Sequence, residues 1–269
     1  MRDALKHTAG AWLQAGRPAM LVLVLEARGS VPRAAGTRML VAADQVCGTV
    51  GGGHLELQAI ARARALLADH VQTPQDQAIA LGPTLGQCCG GALTLRTAPL
   101  DAAALAAWPD EPPLFTLQLY GAGHVGRAIV QLLERLPCSV VWIDARDAEF
   151  PADASPAHIQ RLCVEPVDAE VRLAPPGAFY LVLTHSHDLD LAITEAILRR
   201  GDFAYLGLIG SATKRARFFN RHTQRGIDAA TLARLTCPIG VPGIPGKQPE
   251  QIAVAVVAQL LQVAAARRV

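Results

Sequence analysis

The stretch Tyr120-Gly121-Ala122-Gly123-His124-Val125-Gly126 decides how the chain is read. A β-rich run, Leu114–Tyr120, leads into it, and a helical pattern from His124 to Leu136 starts inside it. Each glycine answers a separate steric demand. The first permits a tight turn out of the strand, and the second lets a phosphate approach the backbone. The third lets the helix pack on the strand, while the helix's first amides attract the anion. Asp144 ends the next predicted strand, Ser139–Asp144, where turns of this kind meet a ribose hydroxyl. Gly121, Gly123, His124, Gly126 and Asp144 are therefore candidate cofactor-binding residues, with NAD(P) as the ligand the turn would take.

Downstream, strands predicted at Ile159–Val164, Phe179–Thr184 and Ala204–Ile209 alternate with helices at Leu189–Arg200, Lys214–Arg225 and Gln248–Ala266. Such alternation implies a parallel sheet covered on both faces. The expected fold class is α/β, with a Rossmann-like parallel-sheet domain over residues 112–269. That fold serves many ligands, so the turn specifies the architecture more firmly than a bound dinucleotide. Upstream, Pro99, Pro109, Pro112 and Pro113 surround an alanine-rich helix and mark a domain boundary. Residues 1–105 form the expected N-terminal α+β domain. It reads as a helix over Asp3–Ala15, strands at Ala19–Glu26, Thr37–Ala42 and Gln45–Val50, and a helix over His54–His70. Two more strands follow at Gln77–Leu81 and Ala92–Thr97. The 54–70 helix is expected to bury Leu57, Ile60, Ala61, Arg64, Leu67 and Ala68.

Two further glycine-rich loops lie in this first domain. Gly51-Gly52-Gly53-His54 joins a strand to a helix and is a candidate anion cradle, because exposed amides and the helix dipole both favour phosphate. Leu85-Gly-Gln-Cys88-Cys89-Gly-Gly91 frames two adjacent cysteines with glycines, so a ligand can approach the backbone closely. A thiolate is a soft metal ligand and a nucleophile towards sulfur. Cys88 and Cys89 can thus meet a molybdenum centre or carry sulfur to it; a buried thiol or a vicinal disulfide are the alternatives. In the second domain, Thr184-His185-Ser186-His187-Asp188 follows a strand, and with Asp190 offers acid–base or metal-type groups. The alternation of His185 and His187 speaks for a role without metal. Gly210-Ser211-Ala-Thr213-Lys214-Arg215 opens a helix with cations and can receive phosphate. Gly243-Ile-Pro-Gly246-Lys247-Gln248 lacks P-loop spacing and the Ser/Thr that holds magnesium, which excludes nucleotide hydrolysis there.

Composition narrows the class further. The chain of 269 residues is 51% hydrophobic and 18% charged, well inside the globular range. Aromatics are only 4%, so Ala, Val and Leu must fill the core. With a net charge of +2 and no basic stripe, nucleic acid is not an expected partner. The Met20–Leu25 run is cut off by Glu26 and Arg28 and reads as a buried strand rather than a signal peptide. The Ala253–Ala266 stretch is interrupted by Gln259 and Gln262, so no membrane span is expected. Six cysteines, scattered apart from the one adjacent pair, fit free thiols in the cytoplasm.

These blocks together resemble the XdhC/CoxI family of accessory proteins for xanthine dehydrogenase and related molybdenum hydroxylases. The resemblance runs through Gly29-Ser-Val-Pro-Arg33 with Gly36, Gly51–Glu56, Leu85–Gly91, Tyr120–Gly126, Thr184–Asp188, Tyr205–Ser211, and Cys237–Gly240 through Glu250. It implies a protein that binds molybdenum cofactor of the molybdopterin type, supports its sulfuration by a cysteine desulfurase and delivers it to apo xanthine dehydrogenase. On this reading the chain has no catalytic residues of its own, and Cys88 and Cys89 touch molybdenum through the cofactor. A homodimer is expected as the commonest assembly. The rival is an NAD(P)-dependent oxidoreductase using His124 or His187 as acid–base group, although such an enzyme has no need of a Cys-Cys loop in a separate domain.

Overall fold

The structure, a computed structural model, describes residues 2–81, 90–110 and 112–267. The chain divides into two compact units, Met1–Glu111 and Pro112–Val269.

The first unit runs α1 (Arg2–Gln14), β1 (Ala19–Arg28), β2 (Arg38–Ala42), β3 (Val46–Gly48), α2 (Gly53–Ala68), β4 (Gln75–Ala80), β5 (Ala92–Pro99) and α3 (Ala102–Ala106). Its five strands pair antiparallel in the order β3-β2-β1-β5-β4. The central strand β1 is apolar on both faces because both are covered. Met20, Val22 and Val24 pack with Leu55, Ala59 and Ala63 of α2, whereas Ala19 and Leu21 meet Ala9 and Trp12 of α1. Alternation at a period of two makes the division. α2 departs from the expected stripe. Leu57 is 66% exposed, and Ala61, Arg64 and Ala68 are exposed as well. Leu55, Ala59 and Ala63, spaced by four, face the sheet instead, and Ile60 and Leu67 flank them. Two alanines in that row let the helix approach the sheet closely.

The second unit comprises β6 (Thr116–Tyr120), α4 (His124–Leu133), β7 (Ser139–Asp144), β8 (Ile159–Cys163), β9 (Phe179–Val182), α5 (His187–Arg200), β10 (Tyr205–Leu208), α6 (Ala212–Gln224), α7 (Ala229–Ala233), β11 (Leu235–Thr236) and α8 (Pro249–Ala266). All six strands are parallel, in the order β11-β10-β9-β6-β7-β8. Strand order reverses between β6 and β9. Leu117, Leu119 and Leu181 pack under α4 and α8, while Tyr120, Tyr180 and Val182 pack under α5 and α6 on the opposite face. A doubly covered parallel sheet of this kind is the Rossmann-like arrangement. The 18-residue α8 is long and apolar enough to cross a membrane by length and composition. Here Ala253, Val256, Leu260 and Ala264 enter the core shared with α4. Its Gln259 is a core anchor, accepting hydrogen bonds from the Tyr205 hydroxyl at 2.6 Å and the Gly240 amide at 2.8 Å.

Candidate functional site

The glycine turn after β6 divides its three glycines by role. Gly121 has φ +121°, and a Cβ on it would fall 2.4 Å from the Leu183 carbonyl oxygen. A Cβ on Gly126 would lie 2.1 Å from the Gly121 carbonyl oxygen, so α4 sits on the strand with no room to spare. At Gly123, its chain neighbours aside, no heavy atom of the described residues lies within 4 Å of that position. The second glycine is thus the open one, as an approaching ligand would need. His124, next to it, is exposed.

Asp144 departs from the expected ribose role. It is 4% exposed, and one carboxylate oxygen accepts the Ala122 amide at 2.7 Å. Arg146 completes the enclosure: its amide and Nε reach Oδ1 and its Nη2 reaches Oδ2, each at 3.0 Å. Burial pushes the carboxyl up, but the hydrogen bonds from Arg146 and the Ala122 amide outweigh it and hold the group below the usual aspartate value. Glu149 ties Arg146 to Arg127, whose Nε also donates to the Ala122 carbonyl at 2.9 Å. This cage leaves a space of only about 10 Å³ between Gly121, Asp144 and His185. That holds roughly one water. Asp144 therefore clamps the turn and is not an open acceptor for a ribose.

In the first unit, three motifs that are far apart in sequence converge. Gly91 donates its amide to the Ser30 carbonyl at 3.1 Å and accepts from the Leu81 amide at 2.8 Å. A Cβ on Gly91 would lie 2.5 Å from the carbonyl oxygens of both Arg28 and Ser30. A Cβ on Gly51 would lie 2.6 Å from Pro32 Cγ. Glycine is required at both places because the loops touch backbone to backbone or ring to backbone. The cradle at Gly51-Gly52-Gly53 already contains an anion from its own chain. Glu56, in the first turn of α2, accepts the Val50 amide at 3.1 Å and the Gly52 amide at 3.2 Å. The Thr49 hydroxyl also donates to it. His54 is exposed beside this turn, 2.9 Å from Gln58 Nε2. Cys88 and Cys89 lie outside the described residues.

A cleft of about 460 Å³ opens in the same unit, lined in part by Arg33, Arg38, Cys47, Thr49 and Trp108. Arg38 lies over the Trp108 ring at 4.9 Å. The sequence reading singled out Arg33 and Gly36 here but missed Cys47, Arg38 and Trp108. Only the pairing of β2 with β3 and the return of the chain after α3 bring those three together. No motif spacing could have announced them.

The Thr184–Asp190 segment scatters its donors. His185, His187 and Asp188 are exposed, whereas Asp190 is buried and accepts the Thr184 amide at 3.0 Å and Lys214 Nζ at 2.6 Å. Ser186 caps α5 through the Leu189 amide. Among the described residues no three His, Cys, Asp or Glu side chains are grouped to hold a metal. The described cysteines, Cys47, Cys138, Cys163 and Cys237, are free thiols, and burial pushes Cys138 up to about 11.

Residues 117–260 match the XdhC Rossmann domain, and residues 12–75 match the XdhC and CoxI family. The uncharacterized protein YqeB of Escherichia coli (strain K12) is 30% identical over 258 residues, covering 91% of this chain and 43% of YqeB. The chain thus spans less than half the length of that relative. A crystal structure described as a xanthine dehydrogenase from Bacillus halodurans is similar at a TM-score of 0.78, with 19% identity, over 99% of this chain and 96% of that one. At that identity the likeness is one of fold. With the glycine turn, the antiparallel unit before it and both family matches in the same order, the chain belongs to the XdhC and CoxI family.

Proposed function

We propose that the chain is a non-catalytic carrier of molybdenum cofactor. It holds the molybdopterin-type cargo while a cysteine desulfurase installs the terminal sulfur, then delivers it to apo xanthine dehydrogenase. It works in the cytoplasm as a homodimer. Family membership supports the accessory role. The single geometric observation behind the reading is the convergence on Gly91, two residues beyond Cys89 in the sequence, of Gly29 and Ser30. In the sequence the glycines on either side frame Cys88 and Cys89, which suits a thiol pair that must meet a bulky metal-bearing ligand. In the turn Gly51-Gly52-Gly53, Gly52 has open space around it and His54 beside it is exposed, which gives a ligand a second approach, and Gly123 offers open backbone in the other unit.

The test is to purify the chain from molybdenum-replete cells and assay it for molybdopterin. Replacing Cys88 and Cys89 together by Ala is expected to lower retained cofactor, or its sulfurated fraction, about tenfold, as loss of one good ligand bond does. Unchanged retention and sulfuration would remove the thiols from the proposal. Titration with NADH and NADPH decides the rival, because hydride turnover on a small substrate would replace the carrier reading altogether.

A further inference from the structure

A cleft much larger than the space at the glycine turn opens elsewhere in the second unit. It opens two strands further along the sheet, past the C-terminal ends of β9 and β10, with a volume of about 560 Å³. Open α/β sheets place their ligands at this end. Thr184 and Ile209, just beyond the two strands, contribute to its lining; His187 and Asp188 come from the start of α5. α6 supplies Lys214, Arg217 and Arg221. Their spacing of three and then four places the three cations along one stripe of the helix.

The three are not equivalent. Lys214 is committed to buried Asp190, and its stem lies against Gly210, where a Cβ would meet Lys214 Cδ at 2.7 Å. Among the described residues Arg221's side chain pairs only with Asp188, 3.6 Å away, whose carboxylate is 93% exposed. Such a pair is weak and easily exchanged. Arg217 has no ion pair or hydrogen bond among the described residues. Against these three cations stand Asp188 and, behind Lys214, Asp190, so the cleft keeps a net positive charge before His187 is counted. Guanidinium groups suit a phosphoryl group because their planar donors match its oxygens in pairs.

We propose that this cleft binds a phosphorylated small molecule, with Arg217 and Arg221 holding its phosphate or pyrophosphate group. On binding, Arg221 exchanges the exposed Asp188 for the ligand, and Lys214 stays with Asp190 as a fixed positive wall. The cleft is built from residues of the second unit alone, and its test does not depend on the carrier reading.

Calorimetric titration of the full chain with inorganic pyrophosphate tests it without pterin or molybdenum. The expected result is saturable one-to-one binding that Arg217→Ala weakens about tenfold, the worth of one charge-assisted contact. The double variant Arg217→Ala/Arg221→Ala should show no saturable heat, and Asp188→Asn should tighten binding by about threefold, as removal of an exposed like charge does. Arg135→Ala removes an exposed cation just beyond α4 and should leave affinity unchanged. Circular dichroism checks that each variant is folded. No saturable binding by the native chain, native-like binding by the folded double variant, or an equal loss in Arg135→Ala would each overturn the proposal.

Discussion

His222 is wholly buried in α6, and its Nε2 lies 3.0 Å from Thr194 Oγ1. That hydroxyl sits 2.7 Å from the Asp190 carbonyl, to which it donates, so it accepts from the imidazole. The other ring nitrogen, Nδ1, is buried with no hydrogen-bond partner among the described residues. A proton there would need an acceptor that the packing does not supply. Burial accordingly pulls the His222 pKa below its ordinary value; Glu195 opposes the shift, and Arg225 and Arg199 add to it. Since the folded value is the lower one, the unfolded chain takes up the proton first as pH falls. The stability contributed by neutral His222 is therefore complete above about pH 6.5 and is lost on acidification through the folded pKa. The unfolding free energy from urea titrations should decline between about pH 7 and pH 5, by about 1.4 kcal/mol for each unit of downward shift. His222→Gln should flatten that decline; an identical pH profile in the variant would assign the loss to other groups. At the same scale Asp144 shows how a residue's position can be read without its contacts. Its position at the end of β7 was legible from strand spacing, whereas the contact with Arg146 depends on a side-chain rotation that spacing does not encode.

Among elements, the turn between β6 and α4 was the most legible, because each glycine answers to backbone contact at fixed sequence positions. The same contacts rank the glycines. Gly126→Ala should cost roughly 3 kcal/mol or more, since the new Cβ meets a carbonyl that cannot move without opening the turn. Gly123→Ala, at φ −69° with open space around it, should stay within about 1 kcal/mol. Chemical denaturation of the two variants checks the order, and a Gly123→Ala protein as unstable as Gly126→Ala would show that the open space is not there. α2 was legible as a helix but not in its orientation. Leucines and alanines occur around its whole circumference, so apolar periodicity alone did not select Leu55, Ala59 and Ala63 over the stripe through Leu57. The short β11 and α7 went unread for a related reason: two and five residues hold too little pattern to register.

At the scale of the molecule, each of the four core clusters formed by the described residues is drawn from within a single unit. Two clusters use residues of the first unit only, and two use residues of the second only. Chains 1–111 and 112–269, produced separately, should therefore each unfold cooperatively in urea. A fragment 112–269 that shows no cooperative transition would mean that its core is not self-sufficient. By itself the amino-acid order determined the α/β class, the succession of an α+β part and a parallel-sheet part, and the turn at Gly121–Gly126. These depend on residue periodicity and backbone sterics within a few positions of each other. Tertiary structure alone decided that Gly91 meets Ser30, that Asp144 turns inward onto the Ala122 amide and that Arg217 lines a cleft with Thr184. Those outcomes depend on which groups meet across strands and loops far apart along the chain, and hydrogen-bond geometry over such distances leaves no period in the sequence.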